Sequence, residues 1–296
     1  MEMKSKNVFY GWYVAICCSL IYFFVNSMTL FVPQNLFPTF IEEFSLNREQ
    51  ASLTVRNTLL FAALLSPFSG ILIDKYGVTV VMRIGIIVMA LTYSFYPFAS
   101  SIETLYRLHI LMAVGLVMTG LGPNVIIVSN WFNKHRGKVV GMVVASSSLG
   151  GATLPLLISP IVSNPDWGWR WGFGLLTALF WIFAVIPVYK IIRPSPETMG
   201  LNPDGIDEMS QDQGKTKSIE DKDMTTFKDA IFSRALWCLG IGSACLWFSI
   251  QGLNSQIRIF FELDAGFTAQ QSVLLFSIIY WFSFIGKFSF GALSDK

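Results

Sequence analysis

Apolar residues gather into eight long runs, at about 9–31, 52–73, 79–99, 105–129, 139–162, 171–191, 235–256 and 270–291. A helix of roughly 20 apolar residues crosses the hydrocarbon core of a bilayer. The pattern therefore predicts an all-α chain of eight membrane-spanning helices. Connections are short except one, from Arg193 to about Phe232, which is rich in Asp, Lys, Ser, Gln and Pro. Its tract Gln211–Asp223 has no apolar period and reads as a mobile linker. This divides the chain into a six-helix bundle over 1–193, an inter-bundle loop over 194–232 and two more helices over 233–296. The first run follows Lys4 and Lys6 but is too long for a signal peptide, and no small-residue cleavage site follows it.

Composition agrees with lipid as the solvent. The 296 residues are 53% hydrophobic and 14% charged, against about 25% charged in a soluble domain. The net charge of +2 does not suggest a nucleic-acid partner. With the N-terminus inside, Arg48, Arg56, Arg107, Arg170 and Arg258 fall at outer ends, five of the 21 basic residues. Lys287 lies within the eighth run and the rest are inside. Basic residues favour the cytoplasmic side, so the N-terminus is expected in the cytoplasm. Cys17, Cys18, Cys238 and Cys245 all lie in apolar runs and read as small packing residues. No glycine-rich phosphate loop ending in Lys-Ser or Lys-Thr is present, nor any nucleophile–base pair or metal cluster. The reading is a non-enzyme with no cofactor, driven by a solute or ion gradient.

One stretch occurs twice. Gly70-Ile-Leu-Ile-Asp74-Lys75-Tyr-Gly77 ends the second run, and Gly291-Ala-Leu-Ser-Asp295-Lys296 ends the eighth. Ser66, Gly70 and Asp74 are four apart and share a helix face. Small residues there admit a second backbone. An acid at such an end can face the positive N-terminus of a neighbouring helix, and Lys75 and Arg83 can tie the loop.

With these motifs the chain resembles the major facilitator superfamily. Trp131-Phe-Asn-Lys134-His-Arg136-Gly137-Lys138-x-x-Gly141 and Gly168-Trp-Arg170-Trp171 add to the likeness. Phe9-Tyr10-Gly11-Trp12-Tyr13 and Arg193-Pro-x-Pro196-Glu197-x-x-Gly200-Leu-x-Pro203-Asp204-Gly205 are similar to the oxalate/formate antiporter and monocarboxylate carrier branch. The resemblance implies a bacterial inner-membrane carrier built from two six-helix bundles, here truncated after helix eight. It implies a secondary transporter of a small solute, an organic anion such as a monocarboxylate, coupled to protons or a counter-solute. It also implies a latch formed by Gly70, Asp74, Lys75, Gly77 and Arg83 against helix eleven, and a twin formed by Gly291, Asp295 and Lys296 against helix five. Two rival readings stand beside it. One is a truncated, inactive or regulatory membrane protein, with a separate chain as the source of the missing helices. The other is a drug efflux carrier.

In that family helices one, four, seven and ten line the substrate cavity. The polar residues they offer here include Asn26 and Gln34 in helix one, His109 and Asn124 in helix four, and Gln251, Asn254, Gln256 and Arg258 in helix seven. Helix eight offers Gln270, Gln271, Tyr280 and Lys287. The candidate substrate contacts are Asn26, Arg56, His109, Asn124, Gln251, Asn254 and Tyr280. Arg56 reads either as an anion contact or outer gate, or as a snorkelling arginine. His109 reads as a proton carrier or as a packing residue. Lys287 must snorkel to the cytoplasmic side or face a cavity. Gly150, Gly151 and Pro155 read as a hinge or as close packing. Trp167, Trp169 and Trp171 are expected at the outer membrane interface.

Overall fold

The computed structural model describes residues 9–205 and 232–293. Each predicted run is one span: α1 (Tyr10–Glu43), α2 (Arg48–Tyr76), α3 (Val78–Phe98), α4 (Ile102–Trp131), α5 (Arg136–Val162), α6 (Gly168–Lys190), α7 (Arg234–Asp264) and α8 (Ala269–Leu293). The described residues contain no strand. Asp295, Lys296 and the tract Gln211–Asp223 lie outside the described residues.

Start signals are local. Asn47 and Gln50 exchange side-chain and backbone hydrogen bonds as a capping box at the start of α2. Thr268 and Gln271 do the same for α8. The turn from α2 to α3 is made at Gly77, whose φ of 82° suits a residue without a Cβ.

Two spans run past the expected ends. α1 continues to Glu43, through Pro33 and Pro38. A π-helical turn, Ser27–Phe31, lies just before Pro33, and the Val32 N–H donates to the Ser27 carbonyl. The wider turn accommodates a ring that would clash with a regular α turn. α6 repeats the device: Trp181–Val185 is π-helical and Pro187 follows. α7 likewise carries a π turn at Phe260–Asp264, which prolongs it beyond the predicted end near residue 256.

α1 is the best enclosed span, while no residue in the most apolar stretch of α7 is buried. The core gathers Phe24, Tyr93, Tyr96, Phe173 and Phe180 between α1, α3 and α6. Tyr96 and Phe173 stack with ring centroids 4.0 Å apart. Trp169 is buried and donates its indole N–H to Glu43 at 2.5 Å. It packs inside the bundle, whereas Trp167 and Trp171 are exposed. Cys17 and Cys18 are buried as expected, but Cys238 and Cys245 are exposed on the uncovered face of α7.

At the end where α1 begins, three motifs far apart in sequence form one plug. Phe9 packs on Trp131 and Phe132 at 5.8 and 5.7 Å between ring centroids. Tyr10 donates its hydroxyl to the Ile191 carbonyl, and Trp131 its indole N–H to that of Arg193. The segment after α6 then folds back so that the Asp204 carboxylate accepts from the backbone N–H groups of Asn133, Lys134 and His135, at 2.8, 2.7 and 3.4 Å. Three successive amides aimed at one carboxylate fix the entry to α5.

Candidate functional site

α5 and α8 carry glycines into each other. A Cβ built on Gly141 would lie 2.6 Å from the Gly291 Cα, and one built on Gly291 would lie 2.5 Å from the Gly141 Cα. The two backbones are in contact, as small-residue faces in lipid permit. The first copy of the repeat behaves differently. Gly70 has no atom within 4 Å of a built Cβ, and Asp74 is exposed with no ion pair among the described residues. Lys75 lies 5.2 Å over the Tyr76 ring. Arg83 does not tie the α2–α3 loop. It sits one to two turns into α3, 5.6 Å over the Tyr189 ring of α6.

Beside the α5–α8 contact is a cavity of about 390 Å³ between α1, α4, α5, α7 and α8. Asn26, Gln251, Asn254 and Tyr280 all line it, with Tyr22, Ser147, Trp247, Ser283 and Lys287. Four of the seven predicted contacts therefore meet in one place. Tyr280 packs on Phe31 at 4.4 Å between ring centroids, and its buried hydroxyl has no partner among the described residues. A Cβ on Gly151 would meet that ring at 2.9 Å, so Gly151 makes room for Tyr280. This is close packing and not a sign of a hinge.

Lys287 is the cation of this cavity. Its ammonium donates to Ser148 Oγ at 2.7 Å, and Ser148 Oγ lies 3.0 Å from Ser283 Oγ. No carboxylate lines the cavity, and none pairs with Lys287 among the described residues. A helical Cα–Cβ bond leans towards the helix N-terminus, so the side chain points back up α8 to Ser148 and away from the near end. That direction is what separates a cavity residue from a snorkelling one.

The other three candidates are elsewhere. His109 is fully buried between α2 and α3. Thr58 Oγ1 donates to the His109 carbonyl at 3.0 Å and lies 2.8 Å from Nδ1, while the Tyr96 hydroxyl is 3.1 Å from Nε2. The pattern fits a neutral ring with its proton on Nδ1, and leaves no nitrogen open to a solute. α4 breaks at Gly120, whose extended backbone separates helix ending at Thr119 from helix beginning at Leu121, and Asn124 braces the break: its Nδ2 donates to the Thr119 and Gly120 carbonyls at 2.8 and 2.7 Å. Arg56 is exposed on α2, outside the cavity wall. The signal shared by all seven was a polar side chain in an apolar run. It announces a partner without saying whether that partner is a solute or another helix.

At the opposite end of α7 lies a second polar cluster. Arg258 is 4% exposed, pairs with Glu262 one turn on, and donates to the Ala269 carbonyl at 3.3 Å. It is thus a buried tie between α7 and α8 and not a loop-end charge. Nearby, Arg48 of α2 forms a two-point pair with Asp264 of α7, at 2.5 and 2.7 Å. Gln34 is wholly buried with neither amide atom bonded among the described residues.

The model of the Major Facilitator Superfamily matches residues 18–296. A transporter of that type from Penicillium oxalicum, opdF, is 31% identical over 44% of this chain and 31% of its own length. A protein of Chlamydia pneumoniae named for hexose phosphate transport is 24% identical over 98% of this chain and 64% of its own length. Among solved structures, a bacterial homologue of the human lysosomal transporter Spinster, inward-facing and unoccupied, aligns with a TM-score of 0.70. That alignment has 20% identity and covers 94% of this chain and 61% of the other. The chain spans less than two thirds of the length of each.

Proposed function

The chain belongs to the Major Facilitator Superfamily, and on that premise we propose that this multi-pass membrane protein is a secondary carrier of a small organic anion, such as a monocarboxylate, moved by alternating access. The observation that carries the anion class is Lys287. An ionisable side chain inside a membrane protein is costly and is a functional-site candidate by default. Here it projects into a cavity with no acid to neutralise it among the described residues. A carboxylate would supply the missing charge in a strong, charge-assisted hydrogen bond. Asn26, Gln251, Asn254 and Tyr280 offer the neutral polar contacts that fix orientation. The Chlamydia relative named for hexose phosphate transport supports the wider class of organic anion.

The carrier works in the plasma (inner) membrane with its N-terminus in the cytoplasm, as the distribution of lysine and arginine favours. A proton or counter-solute supplies the driving force. Gly70, Asp74, Lys75 and Gly77 form one cytoplasmic latch, directed at a helix eleven, and Gly291, Asp295 and Lys296 form its twin against α5; both open during transport. The backbone contact of Gly141 and Gly291 supports the second of these.

The test is uptake into proteoliposomes of labelled formate, lactate, oxalate, glycerol 3-phosphate and xylose. Uptake of a carboxylate or phosphate, lost in Lys287→Gln, supports the reading. Xylose flux with no anion flux overturns the anion class, and no flux of any solute overturns the carrier.

A further inference from the structure

Lys287 belongs to two structures at once. It lines the cavity, and it also crosses the contact between α5 and α8 to reach Ser148 at 2.7 Å. Ser283, Lys287 and Gly291 are spaced four apart, so they occupy one stripe of α8. Gly141 and Ser148, seven apart, occupy one stripe of α5. The two stripes face each other: glycine against glycine at one level, lysine and serine against serine at the next. Ser148 is fully buried and within 3.0 Å of Ser283, so its hydroxyl has no alternative route to water.

An ammonium has three N–H donors, and the Lys287 side chain is only half-buried. A hydroxyl oxygen carries a partial charge and is a weak partner for it, whereas a carboxylate carries a full one. We propose that Ser148 is the resting partner of Lys287, and that an anion entering the cavity draws the ammonium away from it and so loosens the α5–α8 seam above Gly141 and Gly291. Ser148 and Ser283 are then positioning residues: they set how readily Lys287 is given up to the solute. This rests on the anion reading given above. It adds the link between filling the site and releasing the helix contact beside it.

The experiment uses the whole 296-residue chain in lipid nanodiscs, with L-lactate as the probe. Binding is measured by calorimetry, and amide hydrogen exchange is followed over 141–148 and 284–293. Lactate raises exchange in both segments of the unaltered protein. Ser148→Ala raises it without lactate and tightens lactate binding roughly fivefold, the worth of one modest hydrogen bond. Ser148→Thr, which keeps the hydroxyl, restores the starting values. A serine that only fills space would give the reverse, since its loss would leave lactate affinity unchanged or weaker. Lactate binding with unchanged exchange at the seam overturns this coupling and leaves the anion reading standing. If lactate, formate, oxalate and glycerol 3-phosphate all fail to bind, both fall together.

Discussion

Gly141 of α5 and Gly291 of α8 touch through their backbones, closer than any side chain would allow. A larger residue at either position must push the helices apart, because the obstructing atoms are main-chain atoms. Gly291→Val is expected to cost about 1–3 kcal/mol, the range for overpacking a close contact. Thermal unfolding in detergent measures it, and an unchanged midpoint would show that the seam is not as close as described.

Gly70 provides the contrast. Nothing lies within 4 Å of its added Cβ, and alanine is preferred over glycine inside a helix by about 1 kcal/mol. Gly70→Ala should therefore leave the 296-residue chain as stable or slightly more so. A marked loss of stability would mean that the face of α2 bearing Gly70 is already packed against a partner.

His109 holds α4 to α2 and α3 through Thr58 and Tyr96. His109→Ala removes a buried ring and strands the Tyr96 hydroxyl, while Thr58 keeps the backbone carbonyl as acceptor, with an expected loss of about 3 kcal/mol. The pH dependence of uptake should be the same in a folded His109→Gln variant as in the parent. A shifted profile would restore the proton-carrier reading.

The Asp204 carboxylate gathers three backbone amides ahead of α5. Asp204→Ala should cost about 1–2 kcal/mol, the value of a good capping residue. Faster amide exchange is expected at residues 133–139. Asp204→Asn, which keeps one acceptor, should recover part of the loss.

Arg258 is buried while its partner Glu262 is partly exposed, so removing the carboxylate strands a buried guanidinium. Glu262→Gln should cost about 1–3 kcal/mol, while the double change Arg258→Met with Glu262→Leu should cost less. A double-mutant cycle from unfolding midpoints measures the coupling. Additive single effects would deny the pair any energetic role.

The spans were legible because twenty apolar residues in a row have few other uses. Helix ends were harder to read. Pro33 and Pro38 look like stops, yet a π turn carries α1 through them, and hydropathy does not reveal the number of residues in a turn. The family motifs at Phe9, Trp131 and Asp204 were visible one by one. Their meeting in a single plug was not, since it joins residues nearly 200 positions apart. Polar residues within the spans announced a site, and Asn26, Gln251, Asn254 and Tyr280 do share it. His109 and Asn124 gave the same signal and turned out to serve neighbouring backbone and side chains. For Lys287 the decisive fact was the lean of its side chain along α8, which depends on where Ser148 stands.

The solitary ammonium of the cavity also has an electrical consequence. With no carboxylate on the wall among the described residues, the charged lysine leaves the empty site with one unbalanced charge, and the proposed monoanion would cancel it. A transmembrane voltage exerts about 2.3 kcal/mol per elementary charge for each 100 mV. On the anion-carrier proposal it would therefore act on the vacant protein as it resets and hardly at all on the loaded one, so that polarising the membrane would set the pace of return without opposing the cargo.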